Sequence, residues 1–209
     1  MAKTGLTAQE RRKYETIYWD QGKAVIGIDE AGRGPLCGPL VVAGVSFPTG
    51  YFNEVINDSK VLSATVRQEL FREIIKKADY FKIIIVSPQE IDHDNIYRAT
   101  QKAMGTIAES FKGIALTDCM PLPNIEHLSL VKGDQKSFSI AAASILAKVV
   151  RDHIMTAYDL LYPGYGFAKH KGYPTKEHLE NLNRLGALPI YRFSYKPLKT
   201  LDTPTLFDW

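Results

Sequence analysis

The sequence predicts an α/β fold, and three observations carry that prediction. Five short apolar runs, the first and third strongly β-branched, recur along the chain, each of strand length and bounded by Gly, Pro or polar residues. Segments whose apolar residues follow helical spacing lie between and after them. The 209 residues suffice for one buried core, and no Ser/Gly/Pro-rich linker divides them. Residues 1–199 are therefore expected to form one domain, with a helical C-terminal portion from about residue 155, and residues 200–209 to form a tail.

Thr7-Ala8-Gln9-Glu10 has capping-box spacing and predicts a short polar helix that ends before Gly22. Residues 25–28 read as a buried strand that stops at Asp29-Glu30, after which Gly32-Arg33-Gly34-Pro35 turns the chain. A second buried strand, residues 40–45, follows closely enough to pair antiparallel with the first. Ser63 is placed to cap a helix over 64–78 that buries Val66, Leu70, Ile74 and Ile75. Residues 81–86 form the third strand, and Ser87-Pro88-Gln89-Glu90 combines an N-cap, a first-turn proline and a box glutamate. That helix is expected to break over residues 92–95 and to resume through Ile96, Ala99, Ala103, Ile107 and Phe111. The fourth strand, residues 114–117, ends at Asp118, and the fifth, residues 127–131, leads into Lys132-Gly133-Asp134. A long helix opens near Phe138 and runs through Ile140, Ala143, Ala147, Val150, Ile154 and Leu161, with small residues at 141–144 for close approach to the sheet. Residues 164–175 read as a loop, and Thr175 caps a last helix through Leu179, Leu182 and Leu185 that stops at Gly186.

No apolar run reaches membrane-spanning length, and the N-terminus lacks the apolar core of a signal peptide, so a cytoplasmic protein with no membrane partner is expected. Cys37 and Cys119 match neither a metal pattern nor a disulfide framework and read as free thiols. The net charge of +3 hides an asymmetry: residues 131–199 carry eleven Lys and Arg against five acids, and the remainder is net acidic. A basic C-terminal half beside an acidic pocket suits a polyanion whose scissile phosphate meets metal-binding carboxylates.

Three strands run into acids. Asp29 and Glu30 point to opposite faces unless the backbone bends at the strand end. An isolated Asp-Glu pair is usually a solvated turn, but here it abuts a glycine-rich loop whose amides can approach a phosphate or sugar, with Arg33 offering a planar donor fork. Clustering Asp29, Glu30, Asp118 and Asp134 would be costly, since two charges about 4 Å apart repel by about 4 kcal/mol at an effective dielectric of about 20. Cations must then lie between them. Oxygen-only ligands suit Mg²⁺ or Mn²⁺, and two such ions would activate a water and stabilise the leaving oxygen of a phosphodiester. Asp134 could equally cap the long helix, and Lys60 is either a plain loop lysine or a phosphate contact. His93, between Asp92 and Asp94, reads as part of a polar cap rather than as a metal ligand. Tyr165 and Phe167 are expected to pack inward, leaving Tyr173, between Gly172 and Pro174, as the surface aromatic.

The stretches Gly27-Ile28-Asp29-Glu30-Ala31-Gly32-Arg33-Gly34-Pro35-Leu36, Asp58-Ser59-Lys60, Leu116-Thr117-Asp118 and Lys132-Gly133-Asp134, with residues 140–152 and 164–178, resemble the bacterial ribonuclease HII family in order and spacing. The likeness spans roughly residues 24 to 195. It implies a ribonuclease H-like mixed five-stranded sheet flanked by helices on both sides. It also implies endonucleolytic cleavage of RNA–DNA hybrids, or of ribonucleotides embedded in duplex DNA, on the 5′ side of the ribonucleotide. In the family the four carboxylates hold two metal ions. The resemblance further implies that Gly32, Arg33 and Gly34 read the 2′-hydroxyl, and that Tyr173 stacks on the next sugar where RNA returns to DNA.

Two positions depart from the family pattern: Cys119 stands where glycine is common, and Tyr191-Arg192 where His-Arg is usual. Neither removes a carboxylate. Ribonuclease HIII is the close rival, but the chain keeps Gly-Arg-Gly and Tyr173 and has no room for that family's extra N-terminal domain. A non-catalytic hybrid-binding protein is disfavoured because all four acids are retained. The chain is expected to be monomeric. Its end, Leu206-Phe207-Asp208-Trp209, is expected either to fold back on its own domain or to dock on a sliding clamp, as short tails with a Leu-Phe pair do.

Overall fold

A computed structural model of the chain describes residues 6–200; the tail motif at 203–209 lies outside the described residues. Strands β1 (Val25–Ala31), β2 (Leu40–Ser46), β3 (Tyr80–Val86), β4 (Ile114–Asp118) and β5 (His127–Leu130) form one sheet in the order β3-β2-β1-β4-β5. β1 pairs antiparallel with β2, and β2 with β3, whereas β4 runs parallel to both β1 and β5. The sheet is thus mixed, and β1 at its centre is buried from Val25 to Asp29.

The helices are α1 (Ala8–Arg11), α2 (Lys13–Trp19), α3 (Ala64–Lys77), α4 (Pro88–Asp94), α5 (Ile96–Glu109), α6 (Gly133–Lys136), α7 (Phe138–Leu161), α8 (Phe167–His170) and α9 (Lys176–Leu185). Strand alternation sends Val41, Ala43 and Val45 toward α3 and α7, and Ile26, Ile28, Leu40 and Val42 toward α5, so helices cover both faces. α7 crosses β1 so closely that a methyl group on Gly27 would overlap the backbone of Ser139 and Ile140. A third apolar cluster joins Leu36 and Cys37 to Met155, Phe167, Leu182 and Tyr191, and fixes α8 and α9 beside the loop after β1. No helix among the described residues is long and apolar enough to cross a membrane.

The predicted caps are in place: Thr7 and Ser87 make reciprocal capping boxes with Glu10 and Glu90, and Ser63 and Thr175 accept from their third helical residue, as does Ser137, which the sequence reading did not name. Four details differ from the sequence reading. The first helix breaks at Arg12 into two pieces. In α3 only Leu70 and Ile74 are buried, because the covered stripe is too narrow to include Val66 fully or Ile75. Beyond Ala147, Val150 and Ile154 are half-buried against the core as expected, but Val149, Arg151 and Met155 are buried as well and Leu161 is exposed. The loop at 164–175 also contains the single turn α8.

Candidate active site

Parallel register brings the first two acids together. β1 and β4 pair Ile28 with Thr117, which sets Asp29 beside Asp118 at adjacent strand ends. Past β5, Lys132 takes the left-handed conformation, with φ 56°, and turns the chain into α6, which carries Asp134. The Gly133 N–H donates to Asp118 Oδ1 at 2.7 Å. One oxygen from each of Asp29, Asp118 and Asp134 lies within 4.8 Å of the others, and no other His, Cys, Asp and Glu group of three or more does so among the described residues. His93 pairs only with Asp94, at 2.7 Å, and Asp92 accepts bonds from the backbone of Phe193 and Ser194.

Glu30 stands apart from this three-way cluster, although the sequence grouped it with the other acids. Its position on β1 turns it from Asp29. Arg33 Nη1 lies 3.5 Å from Glu30 Oε1, and Oε2 is buried with no hydrogen-bond partner. A buried, unpartnered carboxylate oxygen beside three converging acids offers hard oxygen donors, whose chemistry fits a divalent cation such as Mg²⁺ or Mn²⁺.

The electrostatics agree. Burial pushes the Asp29 carboxyl well above the usual range, and the charges of Glu30 and Asp118 push it further. Burial also raises Glu30 to about 7, against the opposing pull of Arg33. Asp118 is raised by burial, opposed by the Gly133 N–H. Lys60 Nζ lies 2.9 Å from Asp134 Oδ2 and 4.0 Å from Asp58 Oδ1. Burial works against the lysine's charge, but Asp134 outweighs it and the Lys60 pKa rises. Lys60 is therefore a charge partner of the acid cluster, not an isolated loop lysine.

Asp29, Glu30 and Asp118 share one cavity of about 300 Å³ with Lys60, Arg33 and Tyr173, and Asp134 lies beside it, ion-paired with Lys60. Gly32 sits at φ 102°, and a side chain there would collide with Arg151 and with the Pro39 carbonyl. Gly34 faces Tyr173, whose Cε1 lies 3.6 Å from where a Cβ on Gly34 would be. Tyr173 is 45% exposed, whereas Tyr165 and Phe167 are buried as expected.

Sequence reasoning missed two buried arginines that hold this loop. Arg192 donates to the carbonyls of Gly32 (2.7 Å), Arg33 (3.1 Å) and Gly38 (2.9 Å). Arg151 donates to Pro39 (3.0 Å), Lys171 (2.9 Å) and Cys37 (3.2 Å). Burial lowers the pKa of both, that of Arg151 to about 10. A charged residue on α7 reads as solvent-facing in any periodicity count, so no signal in the sequence pointed to Arg151. Ser144 and Lys148, also on α7, line the same cavity.

Comparison with known proteins places this geometry. The family model for ribonuclease HII matches residues 26–198. The ribonuclease HII of Francisella tularensis subsp. novicida (strain U112) is 51% identical over 182 residues, 85% of this chain and 98% of its own length. The chain belongs to the ribonuclease HII family. Among solved structures, the ribonuclease H2 of Pyrococcus horikoshii OT3 superposes with a TM-score of 0.73 at 26% identity, over 85% of this chain and 96% of its own. The RNase HII in the PCNA:RNase HII complex of Archaeoglobus fulgidus gives 0.71 at 28% identity, over 89% and 100%.

As a ribonuclease HII the chain is a ribonuclease H endonuclease of a metal-dependent family, and its carboxylate cluster accords with that. The departure at Cys119 acquires a physical meaning: its φ is 50°, a conformation glycine adopts freely and cysteine adopts with strain. Its side chain is exposed, so the strain is local. Tyr191, at the other departure, is buried and its hydroxyl lies 2.8 Å from His178 Nε2.

Proposed function

We propose that this ribonuclease HII hydrolyses the phosphodiester on the 5′ side of ribonucleotides, in RNA–DNA hybrids or embedded in duplex DNA, leaving 3′-hydroxyl and 5′-phosphate ends. The reading rests on one observation: Asp29, Glu30 and Asp118, two of which converge with Asp134, share a cavity with Gly32, Arg33, Gly34 and Tyr173. Asp29, Glu30, Asp118 and Asp134 would hold two Mg²⁺ or Mn²⁺ ions. When bound, such ions activate water and stabilise charge on the leaving oxygen. Arg33 and the amides of the Gly32–Gly34 turn bind the ribose 2′-hydroxyl and adjacent phosphate, and a site built to bond a hydroxyl rejects DNA lacking it. Tyr173 stacks on the sugar that follows. Lys60 and Lys148, at the cavity wall, neutralise backbone phosphate.

The test is a duplex with a single ribonucleotide, incubated with each metal in turn and with the product ends mapped. Cleavage 5′ of the ribonucleotide, dependent on a divalent ion, is expected. Cleavage without a divalent ion, or a 3′-phosphate product, would refute the proposal.

A second reading concerns partners. The archaeal structure of a PCNA:RNase HII complex favours a sliding clamp as partner here too, reached through the Leu206-Phe207 tail. Such tethering would raise the enzyme's effective concentration at its substrate. Deleting residues 203–209 should abolish retention on the clamp while leaving hybrid cleavage intact, and retained clamp binding would exclude the tail. Residues 1–199 would then act as one monomeric, cytoplasmic catalytic domain.

A further inference from the structure

We infer that His178 is a positioning residue, which together with His170 locks the backbone of Tyr173 so that its ring faces Gly34; the inference rests on the proposed stacking role of Tyr173. Neither histidine touches the cavity, and both are buried. His178 Nδ1 lies 2.9 Å from the Tyr173 carbonyl oxygen. A carbonyl only accepts, so Nδ1 carries the proton and Nε2 must accept, which it does from the Tyr191 hydroxyl at 2.8 Å. His170 has the opposite tautomer: its Nε2 donates to the Tyr165 carbonyl at 2.9 Å, and its Nδ1 accepts from the Gly172 N–H at 3.1 Å. The two rings stack with centroids 4.0 Å apart and planes 13° apart.

These contacts converge on residues 172 and 173. The Tyr173 N–H donates to the His170 carbonyl at 2.9 Å, and the Gly172 carbonyl accepts from the Leu36 N–H at 2.8 Å, which ties this turn to the loop after β1. Gly172 has φ 83°, and a side chain there would collide with the Cys37 carbonyl. The backbone at 172–173 is thus held by two imidazoles, by the Thr175 N–H, which donates to the Tyr173 carbonyl at 2.8 Å, and by the substrate-facing loop, while the Tyr173 ring is left exposed to meet a ligand. Burial keeps the His178 pKa at about 4, so the ring is neutral near pH 7 and its single N–H serves Tyr173.

The test reads the ratio of cutting at an RNA-to-DNA junction to cutting within a uniform hybrid. Tyr173→Ala and His178→Ala should each lower that ratio by roughly tenfold, equivalent to about 1.4 kcal/mol. The double variant should be no worse than Tyr173→Ala alone, because one residue acts through the other. His178→Asn, whose amide can still donate to the Tyr173 carbonyl, should recover most of the selectivity. A multiplicative loss in the double variant, or full selectivity in His178→Ala, would overturn the inference while sparing the role of Tyr173. An unchanged ratio in Tyr173→Ala would overturn both. Nitrogen NMR of the unmodified protein is independent of any folding defect: His178 should carry its proton on Nδ1 and His170 on Nε2, and the opposite tautomer at His178 refutes the lock.

Discussion

Replacing Arg192 by Met would keep an apolar stem of similar reach and remove the guanidinium that grips the loop after β1. The side chain is fully buried, and its hydrogen-bond partners are carbonyls and the Tyr195 hydroxyl, without a carboxylate. The Arg33 carbonyl would keep its bond from the Tyr195 hydroxyl at 2.9 Å, but the carbonyls of Gly32 and Gly38 would lose their Arg192 donors. Two such losses cost about 1–3 kcal/mol each, partly offset because a desolvated charge disappears as well. A net loss of about 2–4 kcal/mol is expected, which at about 2–4 °C per kcal/mol lowers Tm by about 4–16 °C. Displacement of Gly32–Gly34 by about 1 Å would further cost on the order of a hundredfold in single-turnover cleavage. Urea unfolding and a quenched-flow assay on the same preparation measure both. Stability within about 0.5 kcal/mol of the parent, with an unchanged rate, would refute the assignment of Arg192 as the clasp of this loop.

Further outcomes follow from the same contacts. Gly27→Ala should destabilise by about 3 kcal/mol or more, because the new methyl meets the backbone of α7 rather than a side chain that can move; a normal denaturation midpoint would contradict the close approach of β1 and α7. Glu30 titrates at about 7 in the fold against an ordinary 4.5, so the folded metal-free protein retains a proton that the unfolded chain releases. Stability should therefore fall as pH rises from about 4.5 to about 7, by on the order of 3 kcal/mol from Glu30, with Asp29 and Asp118, whose pKa values are also raised, adding to the loss. Added Mg²⁺ should restore stability above pH 7 and have little effect near pH 5, and a flat profile in chelator would show that Glu30 is not held in this way. All-DNA duplex should remain uncut by the parent under conditions that consume the hybrid, and its cleavage would remove the 2′-hydroxyl from the recognition scheme.

Local signals made much of this legible. The first four strands are marked by β-branched residues in apolar runs and β5 by its alternating leucines, and the helix starts by capping residues whose bonds are short-range, which is why Thr7, Ser63, Ser87 and Thr175 are found where spacing placed them. Asp29, Asp118 and Asp134 were visible as acids at strand ends, but their convergence depends on the parallel pairing of β1 with β4, which no local pattern encodes. The direction of Glu30 is likewise a matter of pleat and bend: strand alternation sets it opposite Asp29, and whether the backbone bends enough to reunite the two is not a local signal. Along α7 the spacing places Val150 and Ile154 against the core but does not mark Arg151 as buried, because it is charged and only the carbonyls gathered around it explain its burial. His178 shares the inward stripe of α9 with Leu182, four residues on, but a histidine does not read as core from sequence, and its stacking on His170 arises from the meeting of α8 with α9.

The account stands on the acids acting as a metal-holding centre, and Asp118→Asn tests it most directly. Asp118 is only half-buried, and an amide oxygen can still accept from the Gly133 N–H, so the fold should survive the change. Hybrid binding and hybrid cleavage should be measured on the same protein at saturating Mg²⁺. Cleavage abolished with hybrid affinity retained is the predicted result, and full cleavage by Asp118→Asn would contradict the account.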